Sequence, residues 1–276
     1  VLNPCRELEK QGFDVVYVKP DSSGHLPPEA LAAAIDQNTI LVSCMLVNNE
    51  TGAIFPVEEA ARAIRRSKAP ALLHVDAVQA FGKLPFTVKK LGADLLTLSG
   101  HKLHAPKGVG ALYVKKTTRL LPRTLGGGQE RGLRSGTESV PLIGALGEAV
   151  RLLPPAREAL EHIQKRNSLL RQELAQLPGV VLHSPEDALP YVLNFSAGKV
   201  RGETMLHFLA QREVYVSSGS ACGKAKPSHV LESMGLPKEQ VQSALRVSFS
   251  RFSTEEDVGA LVEGLKVGLA QLAVGS

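Results

Sequence analysis

Through the first half of the chain, short apolar runs closed by polar turn residues alternate with stretches of helical periodicity. Helical spacing over 4–12 ends at Gly12, and an apolar run over 13–18 reads as a strand. Asp21-Ser22-Ser23-Gly24 is a turn, and Pro27 and Pro28 open a helix that runs to Ile35. A nearly unbroken apolar strand over 39–47 stops at the polar turn 48–52, and a helix is predicted over 57–67. Two further buried strands follow, at 71–75, ended by Asp76, and at 93–98, ended by the polar stretch 99–108. A last strand spans 110–114. Strands alternating with helices through short loops predict an α/β fold with a mostly parallel sheet and right-handed crossovers.

The alternation breaks at 126–137, a glycine-dense segment with Arg131 and Arg134 whose backbone could approach an anion closely. It matches neither the Walker pattern nor the dinucleotide fingerprint, and by itself it is equally an ordinary loop. Helical periodicity then runs over 140–176, interrupted at Pro154-Pro155. Beyond it the pattern is α+β, with strands near 180–183, 191–195, 214–217 and 245–250 and helices at 203–211, 238–244 and 254–272. Ser253 or Thr254 with Glu256 or Asp257 reads as a capped helix start. The expected organisation is a large domain over 1–150 and a smaller C-terminal domain over 151–276.

The chain's 276 residues, 43% of them hydrophobic, can bury two cores of this kind. Its net charge of +5 is spread along the chain and only 4% of residues are aromatic. A nucleic-acid surface wants clustered basic residues with stacking rings, so this pattern argues against one; an anionic cofactor or substrate suits it. Cys5, Cys44 and Cys222 are odd in number and widely spaced, which argues for a reducing compartment, expected to be the cytoplasm, and against a disulfide framework. No apolar run has transmembrane length and no signal peptide is visible, so no membrane partner is expected. His101 and His104 lack the third ligand of a metal site.

In a parallel sheet, ligands sit beyond the carboxyl ends of the strands, which is where Asp76 and the Ser99-Gly100-His101-Lys102 turn fall. A lysine there can hold an aldehyde as an imine, and a carboxylate on a neighbouring strand can keep a pyridine ring protonated as an electron sink. Taken singly, Asp76 and Gln79 are more often cap or turn residues, and an arginine such as Arg246 in an alternating strand is normally a solvent-facing side chain.

Seven strings occur in order: 47–52 (Val-Asn-Asn-Glu-Thr-Gly), 74–79 (His-Val-Asp-Ala-Val-Gln), 99–102, 108–114, 126–137, 217–222 (Ser-Ser-Gly-Ser-Ala-Cys) and 245–252 (Leu-Arg-Val-Ser-Phe-Ser-Arg-Phe). Together they resemble the class V, fold-type I pyridoxal-phosphate enzymes, and most closely the cysteine desulfurases of the housekeeping iron–sulfur type. The resemblance implies pyridoxal 5'-phosphate as cofactor, carried on Lys102, with Asp76 at the pyridinium nitrogen and Gln79 at the ring hydroxyl. It implies phosphate contacts from Ser99 and His101, and from Thr137 to the cofactor of the partner subunit in a homodimer. Asn48 and Arg246 would orient L-cysteine, Arg246 by a bidentate grip on the carboxylate. Cys222 would take the sulfur as a persulfide, leaving alanine, and pass it to an acceptor such as an iron–sulfur scaffold. The alternatives are a selenocysteine lyase, a class V aminotransferase, or a catalytically silent interaction module. Residues 223–231 are slightly fewer than in the best-known members. The resemblance also places the start of the chain inside the large domain. A threonine for the phosphate and a histidine stacked on the ring are therefore expected outside it.

Overall fold

The structure, a computed structural model, describes residues 1–218 and 227–272. They fall into two compact units: one comprises Ile35–Leu46 and Val57–Ala156, the other Val1–Ala34, Val47–Pro56 and the chain from Arg157 on.

The first unit is built on a four-stranded sheet in the order β1 (Leu41–Met45), β2 (Leu72–Asp76), β3 (Leu95–Ser99), β4 (Gly110–Val114). The first three strands are parallel and β4 returns antiparallel, as its short connection from β3 allows. Register pairs Cys44 with Val75 and Val75 with Leu96, so one face is an apolar row of buried side chains. The other face carries Ser43, His74, Asp76, Thr97 and Ser99, because side chains alternate along each strand. Two helices, α1 (Val57–Ser67) and α2 (Val88–Leu91), flank the strands. The first buries Val57, Ala60, Ala61 and Ala63; the second starts where Thr87 Oγ1 accepts the Lys90 N–H at 3.2 Å. A longer helix, α3 (Val140–Arg151), closes the unit; none of its residues is buried.

In the second unit, helices α4 (Leu2–Lys10) and α5 (Pro28–Ala33) come from the start of the chain. The chain from residue 157 supplies an antiparallel sheet, β5 (Val180–Leu182), β6 (Val192–Ala197), β7 (Ala244–Ser248), with every residue of β6 buried. Helices α6 (Ala156–Ala175), α7 (Gly202–Ala210) and α8 (Glu255–Leu272) accompany it, with two short ones between them, α9 (His229–Ser233) and α10 (Lys238–Gln242). Ile163, Leu170 and Leu174 form the buried stripe of α6, each such side chain worth about 1.5–3 kcal/mol of transfer free energy. Glycine lets α7 and α8 approach: a Cβ on Gly264 would meet Leu209 Cδ2 at 2.7 Å, and one on Gly268 would meet Met205 Sδ at 2.7 Å. The expected cap of α8 is present as a reciprocal pair, Asp257 N–H to Thr254 Oγ1 and Thr254 N–H to Asp257 Oδ2.

Two predicted strands are absent. Residues 13–18 form no strand and pair with none among the described residues, and Val16 is 67% exposed. Residues 214–217 contribute a single bridge, Ser217 to Arg246, and no ladder. Alternation alone does not make a strand; the partner's hydrogen bonds do.

Candidate functional site

In the first unit the site residues gather at the carboxyl ends of β2 and β3. Register sets Asp76 beside Thr97, and Ser99 lies one same-face step further along β3. The turn after Asp76 is held by the Ala77 N–H donating to Thr97 O at 3.0 Å and the Val78 N–H donating to Asp76 Oδ1 at 3.0 Å. Gln79 follows in that turn and is buried. After Ser99 the chain tightens at once into a single 3₁₀ turn, Gly100–Leu103, anchored by buried Leu103. Gly100 is required there, since a Cβ would meet Val109 Cγ1 at 2.9 Å and Val109 O at 3.0 Å. The turn brings Ser99 Oγ to 2.8 Å from His101 Nδ1 and leaves Lys102 half-buried three residues beyond the strand.

Thr137 lies elsewhere in this unit, exposed at the end of the glycine-dense stretch. That stretch folds as the short turn Gln129–Gly132 with Glu130 and Arg131 in the left-handed region, at φ 47° and 59°. An imidazole not assigned a role from sequence joins the three strands: His74 Nδ1 is 2.8 Å from Ser43 Oγ and Nε2 is 3.3 Å from Thr97 Oγ1. Burial pulls the pKa of His74 below its ordinary value, against the opposing charge of Asp76. Cys44 is a small hydrophobe of the apolar face, its thiol pushed up to about 12 by burial.

The second unit holds Asn48 and Arg246. Asn48 organises its turn by accepting at Oδ1 from the Glu50 N–H at 2.9 Å, the Thr51 N–H at 3.0 Å and Thr51 Oγ1 at 3.3 Å. Gly52 is required in this turn: its φ is +75°, and a Cβ would meet Leu189 O at 3.0 Å. Arg246 stands on β7 and is only 8% exposed, against the solvent-facing reading of an arginine in a strand. Its Nη1 donates to Asn49 O at 3.2 Å and its Nη2 to Ser217 Oγ at 3.3 Å. Register puts Asn194 directly across from it, and the His183 N–H donates to Asn194 O at 2.8 Å. Burial lowers His183 to about 4.

Sequence reasoning assigned no role to Glu50, Ser217 or Ser228. Glu50 is fully buried and accepts a hydrogen bond from Ser228 Oγ. Its place inside the 47–52 string was the one available signal. Cys222 lies outside the described residues.

A primary amine after one strand, a carboxylate ending the next, a buried amide and a Ser–His pair suited to an anion form a donor set that fits pyridoxal phosphate. Among the described residues no group of three or more His, Cys, Asp or Glu side chains could hold a metal ion, and no helix is long and apolar enough to cross a membrane.

Comparison with known proteins points to the same cofactor. Residues 1–261 match the family model described as aminotransferase class-V. The chain is 43% identical over 271 residues to cysteine desulfurase 2 of Trichormus variabilis, covering 95% of this chain and 67% of that protein. It is 40% identical over 281 residues to the cysteine desulfurase IscS of Serratia proteamaculans, covering 99% of this chain and 68% of that protein. The solved structure of a NifS-like protein superposes with a TM-score of 0.91 at 39% identity, over 98% of this chain and 72% of that one. The chain thus spans about two thirds of the length of these curated relatives. Pyridoxal phosphate is the cofactor of this family. The chain belongs to the class-V aminotransferase family and, within it, to the cysteine desulfurases.

Proposed function

We propose that this chain converts L-cysteine to L-alanine and passes the sulfur on as a persulfide of Cys222. The observation that carries the reading is the register of β2 and β3, with Asp76 beside Thr97 and the Ser99–His101 pair and Lys102 immediately beyond. When bound, the cofactor supplies a protonated pyridine ring that takes up electron density from the substrate.

The remaining steps belong to the chain's own residues. Lys102 provides the amine that tethers the cofactor and, once released, a base able to move a proton at the substrate α-carbon. Asp76 keeps the ring nitrogen protonated, Gln79 donates to the ring hydroxyl, and Ser99 and His101 bind the phosphate. Arg246, held by Asn49 O and Ser217 Oγ, meets the substrate carboxylate with a guanidinium already fixed in place, and Asn48 helps orient the amino acid. The Cys222 thiolate then attacks the substrate sulfur. An S–S bond forms, the C–S bond breaks, and the released electron pair ends on the β-carbon, which takes a proton to give alanine.

Cofactor binding is assigned to residues 1–150 and the cysteine-bearing segment to 151–276. The chain acts as a homodimer in which Thr137 reaches the partner subunit's cofactor phosphate, and the acceptor is an iron–sulfur scaffold. The activity is placed in the cytoplasm, where thiols stay reduced.

In the cofactor-loaded protein, Cys222→Ser should stay yellow and keep its spectral response to L-cysteine, yet release no sulfide under reductant. Turnover equal to the parent would overturn the mechanism and favour amino transfer.

A further inference from the structure

We propose that Glu50 is a positioning residue for sulfur transfer: through Ser228 it fixes the end of the segment that carries Cys222 to the loop that carries Asn48. The proposal rests on the desulfurase reading above and adds a residue that reading does not use.

Glu50 is 0% exposed, and one carboxylate oxygen accepts from Ser228 Oγ. A buried carboxylate costs folding free energy unless it is compensated, so its place here calls for a reason. Ser228 is the second described residue after the Cys222 segment. Its hydroxyl oxygen also accepts the Leu231 N–H at 3.2 Å, starting α9. One hydroxyl therefore both begins the helix and ties that beginning to Glu50.

The other end of the segment is tied as well. Ser217 exchanges two backbone hydrogen bonds with Arg246, at 3.1 and 2.7 Å, and its Oγ accepts from Arg246 Nη2. Arg246 Nη1 in turn donates to Asn49 O, one residue before Glu50. A continuous path, Ser217–Arg246–Asn49–Glu50–Ser228, thus joins both ends of the cysteine-bearing segment without passing through it. All of its members belong to one compact unit. The same path includes the arginine assigned to the substrate carboxylate and the loop of Asn48. Both described ends of the cysteine-bearing segment are thus anchored to the Asn48 loop, and misplacement of a reacting group by an ångström costs up to about a hundredfold in rate.

The test compares Glu50→Ala, Glu50→Gln and the parent in the cofactor-loaded protein. Glu50→Ala should bind cofactor and respond spectrally to L-cysteine at the parent's concentrations. Its single-turnover persulfide formation on Cys222 should fall about ten- to a hundredfold. In the cofactor-free protein its amide exchange at His229–Ser233 should accelerate. Glu50→Gln keeps an acceptor for Ser228 and should restore all three towards the parent. Ser228→Asp, which still caps α9 but cannot donate to Glu50, reads the same link from its other end and should reproduce the Glu50→Ala defect, so the test survives if Glu50→Ala does not fold. Persulfide formation at the parent rate in Glu50→Ala or in Ser228→Asp would overturn the proposal. Loss of cofactor or of the cysteine response in step with the persulfide would also overturn it, since a purely structural role predicts that pattern. Cys222→Ser run alongside separates the two readings. If it turns over like the parent, the desulfurase reading fails; if it is dead while Glu50→Ala is unimpaired, only the positioning claim fails.

Discussion

Replacing His183 by leucine should flatten the pH dependence of stability between pH 6.5 and pH 5. The His183 imidazole is buried beside Asn194, and its Nε2 has no hydrogen-bond partner among the described residues. Burial lowers its pKa from 6.5 to about 4. Above pH 6.5 the ring is neutral whether the chain is folded or not, and it adds no pH dependence. As the pH falls through 6.5 the unfolded chain takes up a proton that the folded chain refuses, so stability drops until about pH 4, where the folded state protonates too. At about 1.4 kcal/mol per pH unit the full loss is about 3 kcal/mol, of which about 2 kcal/mol falls between pH 6.5 and pH 5. His74, also lowered by burial, contributes in the same direction, so the substitution should reduce the slope without abolishing it. The carboxylates held below their ordinary range, Asp21 and Glu148 among them, lose their contributions only at lower pH, outside this window. Urea unfolding at pH 6.5 and pH 5 should therefore show the parent losing about 2 kcal/mol more than His183→Leu. Parallel losses in the two proteins would refute the assignment of a buried neutral imidazole.

Borohydride reduction of the cofactor-loaded protein followed by peptide mapping should place the pyridoxyl group on Lys102; finding it on Lys107 would remove Lys102 from its role. Arg246→Lys forfeits the forked guanidinium and should weaken L-cysteine binding by about 1.5–3 kcal/mol with cofactor content unchanged, measured by spectral titration. An unaltered titration would return Arg246 to a structural part. Cys44, with its thiol pushed up to about 12, should resist alkylation in the native protein at pH 8. Labelling there as fast as in urea would show that it is not buried.

The elements of the first unit were legible where local pattern and tertiary packing agree. The helix predicted over 57–67 is Val57–Ser67, and the strand predicted over 110–114 is Gly110–Val114. Their side chains repeat with the element's own period and their ends carry turn residues. Residues 13–18 show the limit of that reasoning: Phe13, Val16 and Tyr17 favour a strand by type, but strand formation needs hydrogen bonds that only a partner supplies. The short helix His229–Ser233 has too few residues to display a period, and its signal is the single cap Ser228. In the candidate site, the places of Asp76, Ser99 and Lys102 at the ends of buried strands were readable, because the apolar runs stop there in polar residues. The burial of Glu50 and Arg246 was not, because composition places charged residues outside; what buries them are partners far along the chain, Ser228 for one and Ser217 for the other. His74 sat in a quoted string, yet only strand register reveals its bridge from Ser43 to Thr97.

The central claim is that sulfur leaves L-cysteine through Cys222. Its most direct test is one turnover of the cofactor-loaded protein with isotopically labelled L-cysteine in the absence of reductant, followed by mass analysis of the Cys222 peptide and quantitation of alanine. The account predicts one labelled sulfur on Cys222 for each alanine formed, and none on Cys5 or Cys44. Alanine formed without labelled sulfur on Cys222, or pyruvate formed in place of alanine, would contradict it.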